Sequence, residues 1–179
     1  QRNYRCDSYG DFVFVYSRLA PLKRIGLVIE ALATPSAAGV RCVIAGDGEE
    51  RAVLEARVRE LGLTSRVSFV GHITDEELTR YLATCRAVCF VPRDEDFGMV
   101  TVEAFASAKC VITASDSGAP TELVTAETGR VVAPDAESLG AALGEVSGDA
   151  ALAERLGRAA ANRGAELTWA RTVDALILR

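Results

Sequence analysis

The sequence has few of the residues that build metal centres and disulfide frameworks. Its 179 residues include one histidine, one tryptophan and one methionine, and its five cysteines are an odd number. Because His72 has no partner at zinc-ligand spacing, we predict no metal site. Apart from Cys6, the cysteines lie in apolar runs, where cysteine behaves as a small hydrophobe, namely at Cys42, Cys85, Cys89 and Cys110. Reduced core cysteines indicate a cytoplasmic location.

Long apolar runs are also absent. No stretch reaches the roughly 18 apolar residues that a membrane span needs. The first residues, Gln1-Arg2-Asn3-Tyr4-Arg5, contain neither a methionine nor an apolar leader, so we expect a piece of a longer protein without a secretory signal. The formal net charge is −5 and no basic stripe accompanies it, which argues against a nucleic-acid partner. These absences favour a small-molecule ligand.

What the sequence does have is a regular alternation of apolar runs and amphipathic stretches. A chain of 179 residues with 49% hydrophobic residues can bury one core without disulfides or a structural metal. We therefore predict a single domain over residues 1–179. The predicted strands are Phe12–Tyr16, Val40–Ala45, Val67–Val70, Ala87–Val91, Cys110–Thr113 and Arg130–Val132. The predicted helices are Gly26–Ala33, Glu49–Leu61, Asp75–Ala83, Met99–Ser107 and Ala136–Val146, followed by tail helices Asp149–Arg163 and Thr168–Leu178.

This alternation predicts an α/β fold with a doubly wound, parallel, six-stranded, Rossmann-like sheet over about residues 12–147 and tail helices over 148–179. In such a sheet the ligand crevice opens at the carboxyl ends of the first and fourth strands. Thr74 and Glu77 also predict a capping box at the start of the third helix.

One segment combines two carboxylates with a strand end and a helix start. Glu95 follows the predicted fourth strand, and Glu103 lies in the helix that begins after Gly98. The N–H groups of a helix start and its partial positive charge suit a phosphate or a negatively charged transition state. The carboxylates themselves are better suited to accept hydrogen bonds from sugar hydroxyls. An alternative for Glu103 is an exposed glutamate stabilised by the helix dipole.

Two basic residues, Arg18 and Lys23, follow the first strand and therefore face the same crevice. Arg18 can hold a phosphate through two parallel hydrogen bonds, while Lys23 acts as a point charge. Together they would offset the charge that grows on a departing diphosphate. The alternative is a pair of solvated charges around a turn. The turn Gly46-Asp47-Gly48 lacks the lysine and hydroxyl residue of a P-loop and the spacing of a dinucleotide fingerprint.

These motifs together resemble the retaining GT-B glycosyltransferases, in particular the family-four (group 1) type. Besides the segments around Arg18 and Glu95, the stretches that match the family in order are Val43–Gly48, Val67–His72, Ser117–Glu122 and Thr128–Pro134. The resemblance runs from about Phe12 to the end and covers the carboxyl-terminal, donor-binding half of a GT-B fold. It departs at Ser17, where a glycine is usual, and at Ser117-Gly118-Ala119, where paired glycines are usual.

The resemblance implies a role for each site residue. It implies that Arg18 and Lys23 bind the diphosphate, that Glu103 binds the ribose hydroxyls, and that Glu95 contacts the donor sugar as a nucleophile or as an electrostatic support. It places the nucleobase against the backbone of His72 and Ile73. The diphosphate and sugar hydroxyls are expected at Asp96, Phe97, Gly98, Met99 and Val100.

The resemblance also implies partners. The donor is a UDP-, GDP- or ADP-sugar, and no other cofactor or metal is expected. We expect an absent amino-terminal acceptor domain, which would also carry any peripheral membrane contact, so this chain alone should not transfer sugar. Apolar tail residues, such as Trp169, Leu176, Ile177 and Leu178, should then favour self-association. The alternatives are a sugar-nucleotide 2-epimerase and a non-catalytic nucleotide-binding module.

Overall fold

The computed structural model describes residues 2–166 and contains six strands and seven α-helices in that range. The strands are β1 (Phe12–Tyr16), β2 (Arg41–Ala45), β3 (Val67–Gly71), β4 (Ala87–Cys89), β5 (Val111–Ala114) and β6 (Gly129–Val132). The helices are α1 (Ile25–Leu32), α2 (Arg51–Glu60), α3 (Asp75–Thr84), α4 (Met99–Ala106), α5 (Pro120–Leu123), α6 (Ala136–Gly148) and α7 (Ala150–Glu166). Short 3-10 turns lie at Pro21–Lys23 and Pro35–Ala37.

All six strands form one parallel sheet in the order β3-β2-β1-β4-β5-β6. The order reverses between β1 and β4, so the predicted doubly wound sheet and its switch point are confirmed. The strands β1 and β4 pair only at Val13 with Ala87 and at Phe14 with Val88. This pairing stops before the carboxyl end of β1, which continues to Tyr16.

The central strand β1 is buried on both faces because its side chains alternate between two apolar layers. Val13 and Val15 pack with α1, α2 and α6, whereas Phe14 and Tyr16 pack with α3 and α4. Tyr81 of α3 stacks on Phe14 at a centroid distance of 5.1 Å. The predicted core cysteines are confirmed as buried free thiols, namely Cys42, Cys85, Cys89 and Cys110.

The structure differs from the sequence-based expectations most clearly at β4 and at α5. Strand β4 ends at Cys89 rather than Val91, because its pairing with β1 stops at Val88 and its pairing with β5 stops at Cys89, although the Phe90 N–H still donates to the Ile112 carbonyl at 2.9 Å. Helix α5 was not predicted, since it has only 4 residues and begins at Pro120. Helix α7 packs against α4 as well as following α6. The predicted helix Thr168–Leu178, with the apolar residues assigned to it, lies outside the described residues.

The capping box predicted at Thr74 and Glu77 is confirmed: the Thr74 side chain accepts from the Glu77 N–H at 3.2 Å, and Glu77 accepts from the Thr74 N–H at 2.8 Å. Within residues 2–166, no helix is long and apolar enough to cross a membrane.

Candidate functional site

A cavity of about 470 Å³ opens at the carboxyl ends of β1, β2 and β3. It brings together three of the predicted site residues, Arg18, His72 and Ile73. The other lining residues are Arg2, Tyr16, Ser17, Ala45, Gly46, Asp47, Thr74, Asp75 and Leu78. Both charge signs and several apolar side chains therefore surround one opening, which is the composition expected for a polar ligand with a flat, apolar part.

Glu103 is buried on α4, with 6% of its surface exposed, so the alternative of an exposed helix glutamate is wrong. Its Oε2 accepts a hydrogen bond of 2.9 Å from the Tyr16 hydroxyl at the end of β1. Its Oε1 accepts a hydrogen bond of 2.8 Å from the Tyr4 hydroxyl and a further one from the Arg2 guanidinium. A buried carboxylate requires such donors, because burial without them is costly.

Tyr16 stays protonated and donates to Glu103, since burial and then the neighbouring carboxylate raise the pKa of its hydroxyl well above the ordinary value. Burial also raises the pKa of Tyr4. Arg2 lies between two carboxylates, because it also donates to Asp75 at 2.7 Å, and this hydrogen bond lowers the pKa of Asp75. Neither Arg2 nor Tyr4 was predicted as a site residue, since the segment before β1 shows no motif.

The other predicted carboxylate, Glu95, forms a close ion pair with Lys23. Both side chains are partly buried, and the Lys23 ammonium lies 5.7 Å from the centroid of the Phe90 ring. Arg18 contacts neither of them; it is exposed and pairs with Glu49 at 3.2 Å. The structure thus places Glu95 with Lys23 in one pair and Arg18 with His72 and Ile73 in the cavity.

The loop that carries Glu95 is held by Arg24, a residue that the sequence analysis did not single out. The Arg24 guanidinium donates two hydrogen bonds, of 2.7 and 2.6 Å, to the Asp116 carboxylate after β5. It also donates to the carbonyl oxygens of Val91 and Pro92, at 2.7 and 2.6 Å. The loops after β1, β4 and β5 are therefore joined at one side chain. The hydrogen bonds from Arg24 lower the pKa of Asp116.

Backbone contacts join the Glu95 loop to the segment before α5. The Glu95 N–H donates to the Ser117 carbonyl at 3.0 Å, and the Glu95 carbonyl accepts from the Ala119 N–H at 2.8 Å. Gly118 has a φ of 74°, and a Cβ there would lie 2.6 Å from the Glu95 carbonyl oxygen. This position therefore requires glycine, even though its neighbours Ser117 and Ala119 depart from the family pattern.

Helix α4 begins at a glycine and exposes its first turn. Its N-cap residue, Gly98, has a φ of 64°, and no side chain of the described residues caps the helix. The first N–H groups of α4 have no partner within the helix. The predicted site residues Asp96, Phe97 and Met99 are exposed here, and Val100 is half-buried. Free N–H groups beside the pair formed by Lys23 and Glu95 suit an anionic ligand.

Comparison with known proteins agrees with this arrangement. The sequence profile named "Glycosyl transferases group 1" matches residues 4–163. The chain belongs to this family. It is 33% identical over 168 residues to the D-inositol 3-phosphate glycosyltransferase of Mycolicibacterium smegmatis, which covers 89% of this chain and 37% of that protein. The chain thus spans well under half the length of this relative.

Two solved structures share the fold. HepE from Anabaena, solved with UDP and glucose, has a TM-score of 0.79 and 27% identity, covering 94% of this chain and 47% of HepE. The carboxyl-terminal domain of the group 1 glycosyl transferase LpcC from Francisella tularensis also has a TM-score of 0.79, at 21% identity, covering 92% of this chain and 94% of that domain. The resemblance to the carboxyl-terminal half of a GT-B enzyme is confirmed.

Proposed function

We propose that this chain is the donor-binding domain of a retaining glycosyltransferase, which transfers a sugar from a nucleoside diphosphate sugar to an acceptor. The observation that carries the proposal is the position of Glu103, a buried carboxylate on α4 that accepts hydrogen bonds from two residues lining the 470 Å³ cavity, Tyr16 and Arg2. A nucleotide sugar needs an apolar place for the base, a hydroxyl acceptor for the ribose and donors for the diphosphate. These needs match the cavity beside His72 and Ile73, the Glu103 carboxylate and the first turn of α4.

In this proposal the nucleobase enters the cavity beside His72 and Ile73, and the ribose hydroxyls bind Glu103. Oε2 of Glu103 keeps its hydrogen bond from the Tyr16 hydroxyl, and this bond fixes the plane of the carboxylate from the core side. Oε1 exchanges its hydrogen bonds from Arg2 and Tyr4 for those from the ribose. The buried carboxylate therefore has hydrogen-bond donors both before and after the nucleotide binds.

The diphosphate binds Arg18, Lys23 and the N–H groups at Gly98, Met99 and Val100. Lys23 moves from Glu95 towards the phosphates, and the freed Glu95 carboxylate then contacts the donor sugar. The remaining sugar hydroxyls bind Asp96 and the Phe97 backbone. Cations therefore contact the diphosphate leaving group, and a carboxylate contacts the donor sugar.

The reaction breaks the bond between the sugar and the diphosphate, so negative charge grows on the departing phosphate. Lys23, Arg18 and the α4 N–H groups offset this charge in fixed positions, which lowers the barrier without a metal ion. Glu95 stabilises the positive charge on the sugar, either as a nucleophile or as an electrostatic support. The acceptor is bound by a separate amino-terminal domain, which also excludes water from the cleft.

The donor base is proposed from the relatives. Because HepE was solved with UDP, uridine is the first candidate, and guanosine and adenosine diphosphates are the alternatives. Titration calorimetry of the chain against UDP, GDP and ADP tests the proposal, with uridine as the control that lacks phosphate. We expect one diphosphate to bind at least tenfold more tightly than the others. Absence of binding by all three would refute the proposed function.

Glu103→Gln provides the matched test of the ribose assignment. We expect this variant to weaken UDP binding while leaving the affinity of the 2′-deoxy analogue nearly unchanged, since the proposed partners of Glu103 are ribose hydroxyls. An equal loss for both nucleotides would show that Glu103 has a structural role. Incubation of UDP-sugar without an acceptor distinguishes the epimerase alternative, because only an epimerase would return an inverted sugar nucleotide.

A further inference from the structure

The Arg24 guanidinium makes four hydrogen bonds to two separate loops at the carboxyl edge of the sheet. Two of them reach the Asp116 carboxylate after β5, and the other two reach the Val91 and Pro92 carbonyls after β4, all at 2.6 or 2.7 Å. The Arg24 side chain is only 11% exposed. Because a guanidinium presents its N–H donors in one rigid plane, these bonds fix the two loops relative to Arg24.

The backbone of Arg24 is also constrained. It has a φ of 52° and a ψ of 40°, between the 3-10 turn Pro21–Lys23 and α1. This left-handed conformation is unfavourable for a residue with a Cβ and persists where the surrounding structure enforces it. The hydrogen bonds of the Arg24 side chain supply that constraint. Lys23 directly precedes Arg24, and its own N–H donates to the Ala20 carbonyl at 2.9 Å, so the backbone of Lys23 is held on both sides.

The position of Glu95 depends on the same two loops. Its N–H donates to the carbonyl of Ser117, the residue that follows the carboxylate held by the guanidinium. A further backbone hydrogen bond of 2.8 Å, from the Arg93 N–H to the Leu22 carbonyl, joins the Glu95 loop to the turn that carries Lys23. Both members of the ion pair between Lys23 and Glu95 therefore lie on backbone whose position Arg24 helps to set.

We propose, as a consequence that rests on the proposed function, that Arg24 is a positioning residue for the donor. It holds the Lys23 ammonium where the diphosphate binds and the Glu95 carboxylate where the donor sugar binds. Arg24 does not contact the ligand, since its guanidinium is occupied by Asp116 and by loop carbonyls. Charged groups that are already in place bind a ligand more tightly than mobile ones, because no ordering cost remains to be met at binding.

The test compares Arg24→Gly with the wild-type chain by titration calorimetry. The ligands are the diphosphate among UDP, GDP and ADP that the wild type binds most tightly, and the corresponding nucleoside. Glycine adopts the left-handed backbone readily, so this variant removes the guanidinium without adding strain. We expect a loss of about fivefold in affinity for the diphosphate and no change for the nucleoside.

Arg66→Ala is the matched control for the loss of an arginine that holds backbone carbonyls. The Arg66 guanidinium donates to the Ala37 and Val40 carbonyls, at 2.9 and 3.1 Å, beside the amino-terminal end of β3 and thus at the opposite edge of the sheet. This control should leave the affinities for both ligands unchanged. A loss shared equally by the diphosphate and the nucleoside in Arg24→Gly would overturn the proposal, because it would indicate a general disturbance of the fold.

The Lys23→Ala background distinguishes positioning from direct contact with phosphate. There Arg24→Gly should reduce diphosphate affinity by less than about twofold, because the ammonium that Arg24 positions has been removed. The full loss in that background would overturn the proposal, since the guanidinium would then bind phosphate itself.

Circular dichroism first checks that Arg24→Gly is folded. If it is not, Asp116→Asn replaces it, because this variant removes the charged partner of Arg24 and leaves the carbonyl partners. We expect Asp116→Asn to weaken diphosphate binding by about threefold and to leave nucleoside binding unchanged. Equal diphosphate affinity in the wild type and in the folded variant would overturn this inference alone. A wild-type chain that binds no nucleoside diphosphate would refute the proposed function, and this inference with it.

Discussion

The Tyr16 hydroxyl donates a hydrogen bond of 2.9 Å to Oε2 of Glu103, and this bond joins the end of β1 to α4 across the switch point of the sheet. The other carboxylate oxygen, Oε1, is covered by Arg2 and Tyr4 from the segment before β1. The core therefore holds one oxygen of Glu103, and the segment before β1 holds the other, which is the oxygen proposed to bind the ribose.

Arg2→Ala should therefore tighten the binding of UDP, by about threefold to tenfold, because the ribose no longer competes with a guanidinium for Glu103. The 2′-deoxy analogue should gain less. Titration calorimetry measures both affinities. Arg5→Ala is the matched control, since the ion pair of Arg5 within residues 2–166 is with Asp7, at 2.9 Å on the surface. Weaker UDP binding by Arg2→Ala would instead make Arg2 a part of the nucleotide site.

Arg18→Ala and Lys23→Ala should each weaken UDP binding by about tenfold and leave uridine binding nearly unchanged, because their proposed contacts are charge-assisted hydrogen bonds to phosphate. Competition with a fluorescent nucleotide measures both ligands. Arg41→Ala is the control: Arg41 pairs with Asp11 at 2.6 Å at the amino-terminal edge of the sheet, far from the crevice. A parallel loss for UDP and uridine would contradict the phosphate assignment.

The fold was predictable because its determinants are local. Each signal acts within a few residues: the alternating apolar runs, the capping box formed by Thr74 and Glu77, and the helix start after Gly98. Glu95 and Lys23 were predictable as neighbours for a related reason, since parallel strands bring their carboxyl ends to one edge.

The partners of Glu103 and Asp116 were not predictable in this way. Arg2 precedes Glu103 by 101 positions, and Arg24 precedes Asp116 by 92. No periodicity links such pairs, and an arginine before a strand or in a turn carries no local signal of its partner. Helix α5 was not predicted because a single helical turn is too short to show a helical period in the sequence.

Asp116 should contribute stability that depends on pH. Its pKa is lowered by the hydrogen bonds from Arg24, so the unfolded chain takes up a proton on this carboxyl at a higher pH than the folded chain does. The contribution is therefore present above the ordinary pKa of about 3.9 and is lost as the pH falls through the folded value.

Asp116→Asn should remove this contribution. We expect the variant to have a lower free energy of unfolding at neutral pH, and its stability should fall less than that of the wild type between about pH 5 and pH 2. Urea denaturation at a series of pH values measures this. Asp11→Asn, at the exposed pair with Arg41, should have a smaller effect. An unchanged acid dependence in Asp116→Asn would show that Arg24 is satisfied by its carbonyl partners alone.

Gly118→Ala should damage the Glu95 loop specifically. The left-handed backbone at Gly118 costs an alanine roughly 1–2 kcal/mol, and its Cβ would also lie 2.6 Å from the Glu95 carbonyl oxygen and 2.8 Å from the Glu95 nitrogen. Both atoms belong to the backbone, so no side-chain rotation relieves the contact. The loop has to move, and with it the carboxylate proposed to contact the sugar.

We expect Gly118→Ala to lower the free energy of unfolding by about 2 kcal/mol or more, measured by urea denaturation, because strain and steric overlap add. In the protein joined to the proposed acceptor domain, sugar transfer should fall much more than UDP affinity, since Glu103 and the cavity lie outside this loop. Gly148→Ala is the control, because it ends α6 and a Cβ there would meet no atom within 4 Å. If Gly118→Ala retained both stability and transfer, the contacts between Gly118 and Glu95 would not position the catalytic loop.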